Sequence, residues 1–222
     1  MQAGKLGMAE TKTKSPMASG LDPTPPRMGR RERNKLEKRA RIVAAARRLF
    51  AEQGFAETTT VQIAEAADIG TGTLFLYARS KEDLLILVFK DEMLEVAIES
   101  FTEPPEERSA IERIMSVFAH MVDYHERDLE LSRILLRELL IPYDARQSEV
   151  NELVSVIFGG LEQIIRSGQA KGEIREQLEP ATTARSCFAL YYFGLLRWLS
   201  NSVSREDFLK FTAEQVRALC SV

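Results

Sequence analysis

The sequence predicts an all-α fold of about nine helices, with a small basic N-terminal unit and a larger acidic C-terminal unit. Apolar residues recur at helical spacing along most of the chain, and no segment shows the strict alternation that predicts a half-buried strand. Residues 1–81 carry 15 Lys and Arg against 8 Asp and Glu, whereas residues 82–222 carry 15 against 25. This opposite charge indicates that the two units meet different partners.

The chain divides into three segments. Residues 1–33 lack periodicity and concentrate Pro and Gly near their end, so we expect a disordered basic tail. Residues 34–82 and 83–222 are the two helical units. The tail has no apolar run of a secretory signal, and the densest apolar stretch, 187–199, is shorter than a membrane span. We therefore expect a cytoplasmic protein that makes no membrane contact.

The first helix should begin near Asn34 and end at Gly54, because glycine is favoured just past a helix C-terminus. Its apolar residues share one face, and Arg and Lys occupy the other. The apolar residues are Leu36, Ile42, Val43, Ala46, Leu49 and Phe50.

Residues 54–84 hold the most specific pattern in the chain. Threonines at 58–60 precede a short helical run, and threonine can cap a helix start. Residues 68–70 read Asp-Ile-Gly and predict a tight turn, after which 71–77 form a second short helix. Two short helices joined in this way form a helix-turn-helix, whose second helix fits the major groove of DNA. The alternative is an ordinary three-helix core without DNA contacts.

The segment resembles the N-terminal DNA-binding domain of the TetR family of transcriptional regulators. The matching residues are Gly54-Phe55, Thr58-Thr59, Ile63-Ala64, Gly72-Thr73-Leu74-Phe75, Tyr77 and Ser80-Lys81-Glu82-Asp83-Leu84. The run 168–174, before Leu178-Glu179-Pro180, is also similar to the last third of family members. Departures from the usual residues stand at Asp68, Gly70, Phe75 and Ala78.

The resemblance implies roles for residues at the DNA surface. Thr59, Phe75, Tyr77 and Lys81 are expected beside the DNA backbone, and Thr71, Gly72 and Thr73 beside the base edges. Phosphate contacts supply affinity, whereas base contacts supply sequence choice. The Arg and Lys cluster between 27 and 41 is expected to add salt-sensitive attraction to phosphate.

No catalytic, metal or cofactor site is predicted. His120 and His125 are five residues apart, which is unsuited to binding one metal ion from one helix face. Cys187 and Cys220 have no CxxC partner and are expected in a core or an interface. Phosphate-binding glycine loops, HExxH and nucleophile-elbow strings do not occur. An enzyme is therefore disfavoured.

The larger unit is divided by Pro and Gly into helices at 83–101, 107–124, 129–140, 147–169, 181–199 and 205–219. The helix at 181–199 is apolar around nearly its whole circumference, so it must be buried on more than one side. It is either a dimer contact or the central helix of a monomer. The resemblance implies a homodimer through the last two helices of each chain. The expected interface residues are Phe188, Tyr191, Tyr192, Leu195, Trp198, Leu199, Phe208 and Phe211.

The middle helices are expected to hold a pocket for a small, mostly apolar effector, as the resemblance implies. The candidate residues are Phe89, Met93, Phe118, Met121, Tyr124, His120 and Phe158, with His125 as a further polar group. We thus expect a ligand-responsive regulator, a repressor that binds palindromic double-stranded DNA as a homodimer. The alternatives are an activator without a small-molecule ligand, or a helical interaction module.

Overall fold

The computed structural model describes residues 29–102, 108–140 and 144–222. Within these ranges the chain forms nine helices, and the one extended pairing is an isolated bridge between Ile174 and Ser221. The helices are α1 (Arg30–Glu57), α2 (Thr60–Ala66), α3 (Thr71–Leu74), α4 (Lys81–Thr102), α5 (Ala110–Glu126), α6 (Leu129–Leu140), α7 (Asp144–Ala170), α8 (Pro180–Leu199) and α9 (Arg205–Cys220). The predicted all-α fold is confirmed.

Helix α1 starts earlier than predicted. Residues 30–33, which were assigned to the tail, are helical, and the predicted tail at 1–28 lies outside the described residues. Gly54 interrupts the helix at a φ of 81°, and helical turns then resume as far as Glu57. Glycine tolerates this left-handed backbone at little steric cost, so the regular helix does end where the sequence predicts.

The small unit packs α1, α2 and α3 around one apolar core. Ile42, Ala46, Ile63 and Leu74 are fully or almost fully buried, one or two from each helix. Between α2 and α3 the chain turns at Asp68, whose φ is 53°. Asp accepts this conformation better than most residues do, which explains a turn without the usual glycine.

Helix α4 belongs to both units. It packs against α1 on one side and against α5 and α7 on the other, and every residue from 83 to 90 is buried. The small unit is therefore fixed to the larger one along the first half of α4.

The larger unit is closed by tight contacts at glycines. A Cβ atom on Gly194 would lie 2.3 Å from Cδ2 of Phe208, so α8 and α9 approach this closely only without a side chain. A Cβ atom on Gly160 of α7 would lie 2.3 Å from Cζ of Phe101 in the same way. Among the described helices, none is long and apolar enough to cross a membrane.

Candidate functional site

Helices α2 and α3 form one exposed end of the small unit. Thr59 caps α2: its hydroxyl accepts from the backbone N–H of Gln62 at 3.2 Å, and Gln62 Oε1 accepts from the Thr59 N–H at 2.8 Å. Leu74 anchors α3 in the core. This leaves Gly72 exposed, with Thr71 and Thr73 half-buried beside it. The three residues predicted to face bases therefore lie together on α3.

The turn after α3 exposes apolar side chains. Phe75 is 46% exposed and Leu76 is 83% exposed, whereas Tyr77 is half-buried against the core. The sequence reasoning missed Leu76. The sequence could have indicated that Leu76 is exposed, because a residue two positions after the buried Leu74 lies on the opposite face of a helical turn.

Lys81 is already engaged within the protein. Its ammonium donates to the carbonyl of Phe55 at 2.6 Å and to that of Ala56 at 3.0 Å, and it lies 4.4 Å from the Phe55 ring centroid. An ammonium has three donors, so one remains for a DNA phosphate. Lys81 therefore stabilises the end of α1 and keeps one N–H donor for a DNA contact.

The outer face of α1 is basic. Its exposed cations are Arg30, Arg31, Arg33, Lys35, Lys38 and Arg41 in the first four turns, and Arg48 farther along the helix. Arg39 differs from these, because it is half-buried and turned toward the larger unit. Of the predicted basic cluster, Arg27 lies outside the described residues, Arg39 is turned inward, and the other six cations are exposed.

An ion-pair network links α1, α4 and α7. Arg39 of α1 lies 3.2 Å from Asp91 of α4 and 3.3 Å from Glu149 of α7. Lys90 of α4 lies 2.6 Å from the same Glu149 oxygen and also pairs with Glu152. Burial alone would lower the pKa of Lys90, but its hydrogen bonds to the two carboxylates raise it above the usual value. Glu149 therefore joins the small unit to the start of α7.

A cavity of about 220 Å³ lies inside the larger unit, between α4, α5, α6, α7 and α8. Its wall is mostly apolar, with His125, Tyr191 and Tyr192 as the polar residues. The apolar lining residues are Phe89, Met93, Met121, Leu135, Leu136, Leu139, Val150, Leu153, Val154, Ile157, Phe188 and Leu195.

Of the predicted pocket residues, Phe89, Met93 and Met121 line this cavity. Phe118 is not one of the lining residues, but its ring stacks on the ring of the lining residue Tyr191, with centroids 4.7 Å apart.

The other three predicted pocket residues lie elsewhere. Phe158 packs edge-on against Phe188, and His120 Nδ1 lies 3.0 Å from Ser100 Oγ. Tyr124 lines a separate cavity of about 400 Å³ and donates to Glu92 Oε2 at 2.7 Å. Helical periodicity identifies a buried face but not the element that packs against it, which is why these residues were grouped together.

His125 is a neutral group of the apolar wall. Its Nδ1 lies 3.1 Å from Ser132 Oγ, and its ring stacks on Phe89 with centroids 5.9 Å apart. Burial lowers the pKa of His125 to about 4. The imidazole is therefore uncharged at neutral pH.

Most of the residues predicted for the dimer interface are packed inside the protomer. Five are buried within it: Tyr191, Leu195, Trp198, Leu199 and Phe208. Phe188, Tyr192 and Phe211 are half-buried. Helix α8 packs against α7 and against α9, so contacts within the protomer cover two sides of its apolar surface. The free apolar face is instead at Phe193, which is 52% exposed and 6.5 Å from the Phe211 ring.

Within the described ranges, no group of three or more His, Cys, Asp or Glu side chains could hold a metal ion. Cys187 and Cys220 are both buried free thiols, with their sulfur atoms 3.9 Å apart.

Comparison with known proteins gives consistent matches. Residues 42–88 match the profile of the bacterial regulatory proteins of the tetR family. The fatty acid metabolism regulator protein of Bacillus subtilis is 26% identical over 169 residues, which cover 76% of this chain and 87% of that protein. The transcriptional repressor KstR of Rhodococcus jostii is 24% identical, with 77% of each chain covered.

Solved structures agree with these sequence matches. The FadR repressor of Thermus thermophilus, in complex with lauroyl-CoA, superposes with a TM-score of 0.68 at 26% identity, covering 82% of this chain and 92% of that one. FadR of Bacillus subtilis, in complex with stearoyl-CoA, gives a TM-score of 0.59 at 25% identity, covering 81% and 96%.

Proposed function

Because the chain belongs to the TetR family of transcriptional regulators, we propose that it represses transcription by binding operator DNA as a homodimer, and that a fatty acyl-CoA releases it. One observation carries this proposal: the helices that enclose the apolar cavity, α4 and α7, are also those that hold α1 of the DNA-binding unit.

The DNA end of the proposal rests on α3. Thr71, Gly72 and Thr73 lie at its start, where side chains of a recognition helix approach base edges in the major groove. A twofold dimer would present two such helices about 34–36 Å apart, which suits a palindrome with half-sites on successive turns of the duplex. The exposed cations of α1 would add contacts to the phosphates.

The effector class rests on the apolar cavity and on the relatives. Two FadR proteins of similar structure were solved with lauroyl-CoA and stearoyl-CoA. The cavity here, about 220 Å³, is below the range of about 300–1,000 Å³ that is usual for ligand pockets. An acyl chain must therefore widen it. Met93 and Met121 are unbranched and flexible, so the wall can yield at these positions.

Widening of the cavity would be transmitted to DNA through α7. Val150 and Leu153 face the cavity, while Glu149 and Glu152, on the same two turns, hold Arg39 and Lys90. A ligand shifts an equilibrium only by its difference in affinity for the two arrangements. A coupling of about 1–3 kcal/mol would change operator affinity about 5- to 150-fold.

Footprinting of the intergenic DNA beside the protein's own gene tests this proposal. We expect protection of a palindrome that is lost when lauroyl-CoA is added. Thr73→Ala should weaken this protection and leave binding to random DNA unchanged, because a base-side threonine supplies sequence choice. Thr182→Ala, at an exposed position on α8, is the matched control. Equal binding to the flanking DNA and to random DNA would reject the repressor, and protection that lauroyl-CoA does not alter would reject the effector class.

A further inference from the structure

Tyr191 of α8 carries a buried hydroxyl that no described residue engages in a hydrogen bond. The residue is 1% exposed, and its ring stacks on Phe118 and contacts Phe188 and Phe208. The hydroxyl finds no hydrogen-bond partner among the described residues. A buried polar group without a partner costs about 1–3 kcal/mol, so phenylalanine would serve the core better here.

The same residue forms part of the wall of the apolar cavity, together with Met121, His125 and Leu195. No Lys, Arg, Asp or Glu of the described residues lines this cavity. His125 is uncharged at neutral pH, since burial lowers its pKa to about 4. Burial also raises the pKa of Tyr191, which keeps its hydroxyl protonated as a donor. The wall thus offers a hydrogen-bond donor without any counter-charge.

We propose that the Tyr191 hydroxyl donates a hydrogen bond to the neutral carbonyl oxygen of an acyl ligand, which makes the cavity selective for an uncharged acyl group over a carboxylate. This inference rests on the proposed function, because it identifies the atom of the proposed acyl effector that binds Tyr191. A carboxylate would lose its hydration in this cavity and gain no cation in return. A thioester or ester carbonyl accepts the same hydrogen bond and carries no charge to desolvate.

A pair of matched ligands tests the contact directly. Lauroyl-CoA and S-dodecyl-CoA have the same chain and the same coenzyme, but a methylene replaces the carbonyl in the second. Titration calorimetry with the full chain should give about 3- to 10-fold tighter binding of lauroyl-CoA, the gain expected from one neutral hydrogen bond. Tyr191→Phe should remove this preference. Tyr192→Phe changes a neighbouring tyrosine of the same cavity and should keep it.

Two further measurements make the test decisive. Urea unfolding of ligand-free Tyr191→Phe should show equal or greater stability than the wild type, which separates lost recognition from lost folding. Methyl laurate should bind more tightly than laurate at neutral pH. Equal affinity of the wild type for lauroyl-CoA and S-dodecyl-CoA, with release from DNA intact, overturns this inference alone. Failure of lauroyl-CoA to bind overturns the inference and the proposed effector class together.

Discussion

His125, a single buried residue of the cavity wall, makes the stability of the fold depend on pH. Its imidazole lies 3% exposed beside Ser132 and Phe89, and its pKa is lowered to about 4 by burial. In an unfolded chain the same ring has a pKa of about 6.5, so the unfolded state binds its proton first as the pH falls. The stability that neutral His125 contributes is therefore full above pH 6.5 and is lost as the pH falls toward 4.

We accordingly expect the free energy of unfolding to fall between pH 6.5 and pH 4 more steeply in the wild type than in His125→Asn, which retains a donor toward Ser132. Urea titrations at several pH values measure this difference. Identical slopes for wild type and His125→Asn would show that His125 does not titrate in this range.

Lys81 combines two roles that mutation can separate. Its bonds to the carbonyls of Phe55 and Ala56 hold the end of α1, so Lys81→Ala should lower the free energy of unfolding by about 1.5 kcal/mol. Thermal unfolding without DNA measures this loss, with Lys210→Ala, an exposed lysine of α9, as the control. If Lys81 serves only DNA, its removal will change the salt dependence of binding and leave the unfolding curve in place.

At the scale of elements, α7 contacts both the apolar cavity and the ion pairs to α1. Its first turns contribute Leu153 to the cavity and Glu149 to the ion pairs with Arg39 and Lys90. These pairs are partly buried, so salt screens them less than it screens surface pairs. Displacement of α7 by a ligand must therefore either move α1 or break the pairs.

Glu149→Gln should uncouple the two ends of the molecule. We expect the ratio of operator affinities without and with lauroyl-CoA to fall several-fold, because the neutral amide holds Arg39 and Lys90 more weakly. Fluorescence anisotropy with labelled operator DNA measures the ratio. Glu162→Gln is the matched control, since Glu162 lies on the same helix and its ion pair among the described residues is with Arg166, one turn away. An unchanged ratio in Glu149→Gln would place the coupling elsewhere.

At the scale of the whole molecule, the proposed homodimer needs a free apolar face. The described part of α8 and α9 offers one at Phe193 and Phe211, whose rings lie 6.5 Å apart. Their neighbours Tyr191 and Phe208 are already used inside the protomer. A second copy is the simplest cover for such a face, because the proposed operator is twofold-symmetric.

Phe193→Glu should convert the dimer to monomers, because the charge would be buried without a partner at the contact. Sedimentation velocity at micromolar concentration measures the change. Ile98→Glu is the control, since Ile98 is exposed to a similar extent, 54% against 52%, on α4. A wild-type protein that sediments as a monomer would reject the homodimer, and a dimeric Phe193→Glu would move the contact to another face.

Much of the fold and of the candidate DNA surface follows from local patterns. The capping threonine at 59, the turn at 68–70 and the glycine at 54 act on residues close to them in the chain, so the sequence indicates their roles. The cavity was only partly predicted. Phe89, Met93 and Met121 were named in advance, whereas Tyr191 was assigned to a dimer face and lies in the cavity wall.

The sequence by itself determined the all-α fold, the approximate helix breaks, the basic and acidic halves and the resemblance to the TetR family, because helix formation, capping and turn geometry depend on residues close in the chain. Only the tertiary structure decided which apolar faces meet. It packed α8 between α7 and α9, left Phe193 exposed, and brought Arg39 to Glu149 across 110 positions. The hydrophobic effect has no preferred direction, so helical periodicity predicts only that an apolar face is buried. Tertiary packing decides which element buries it.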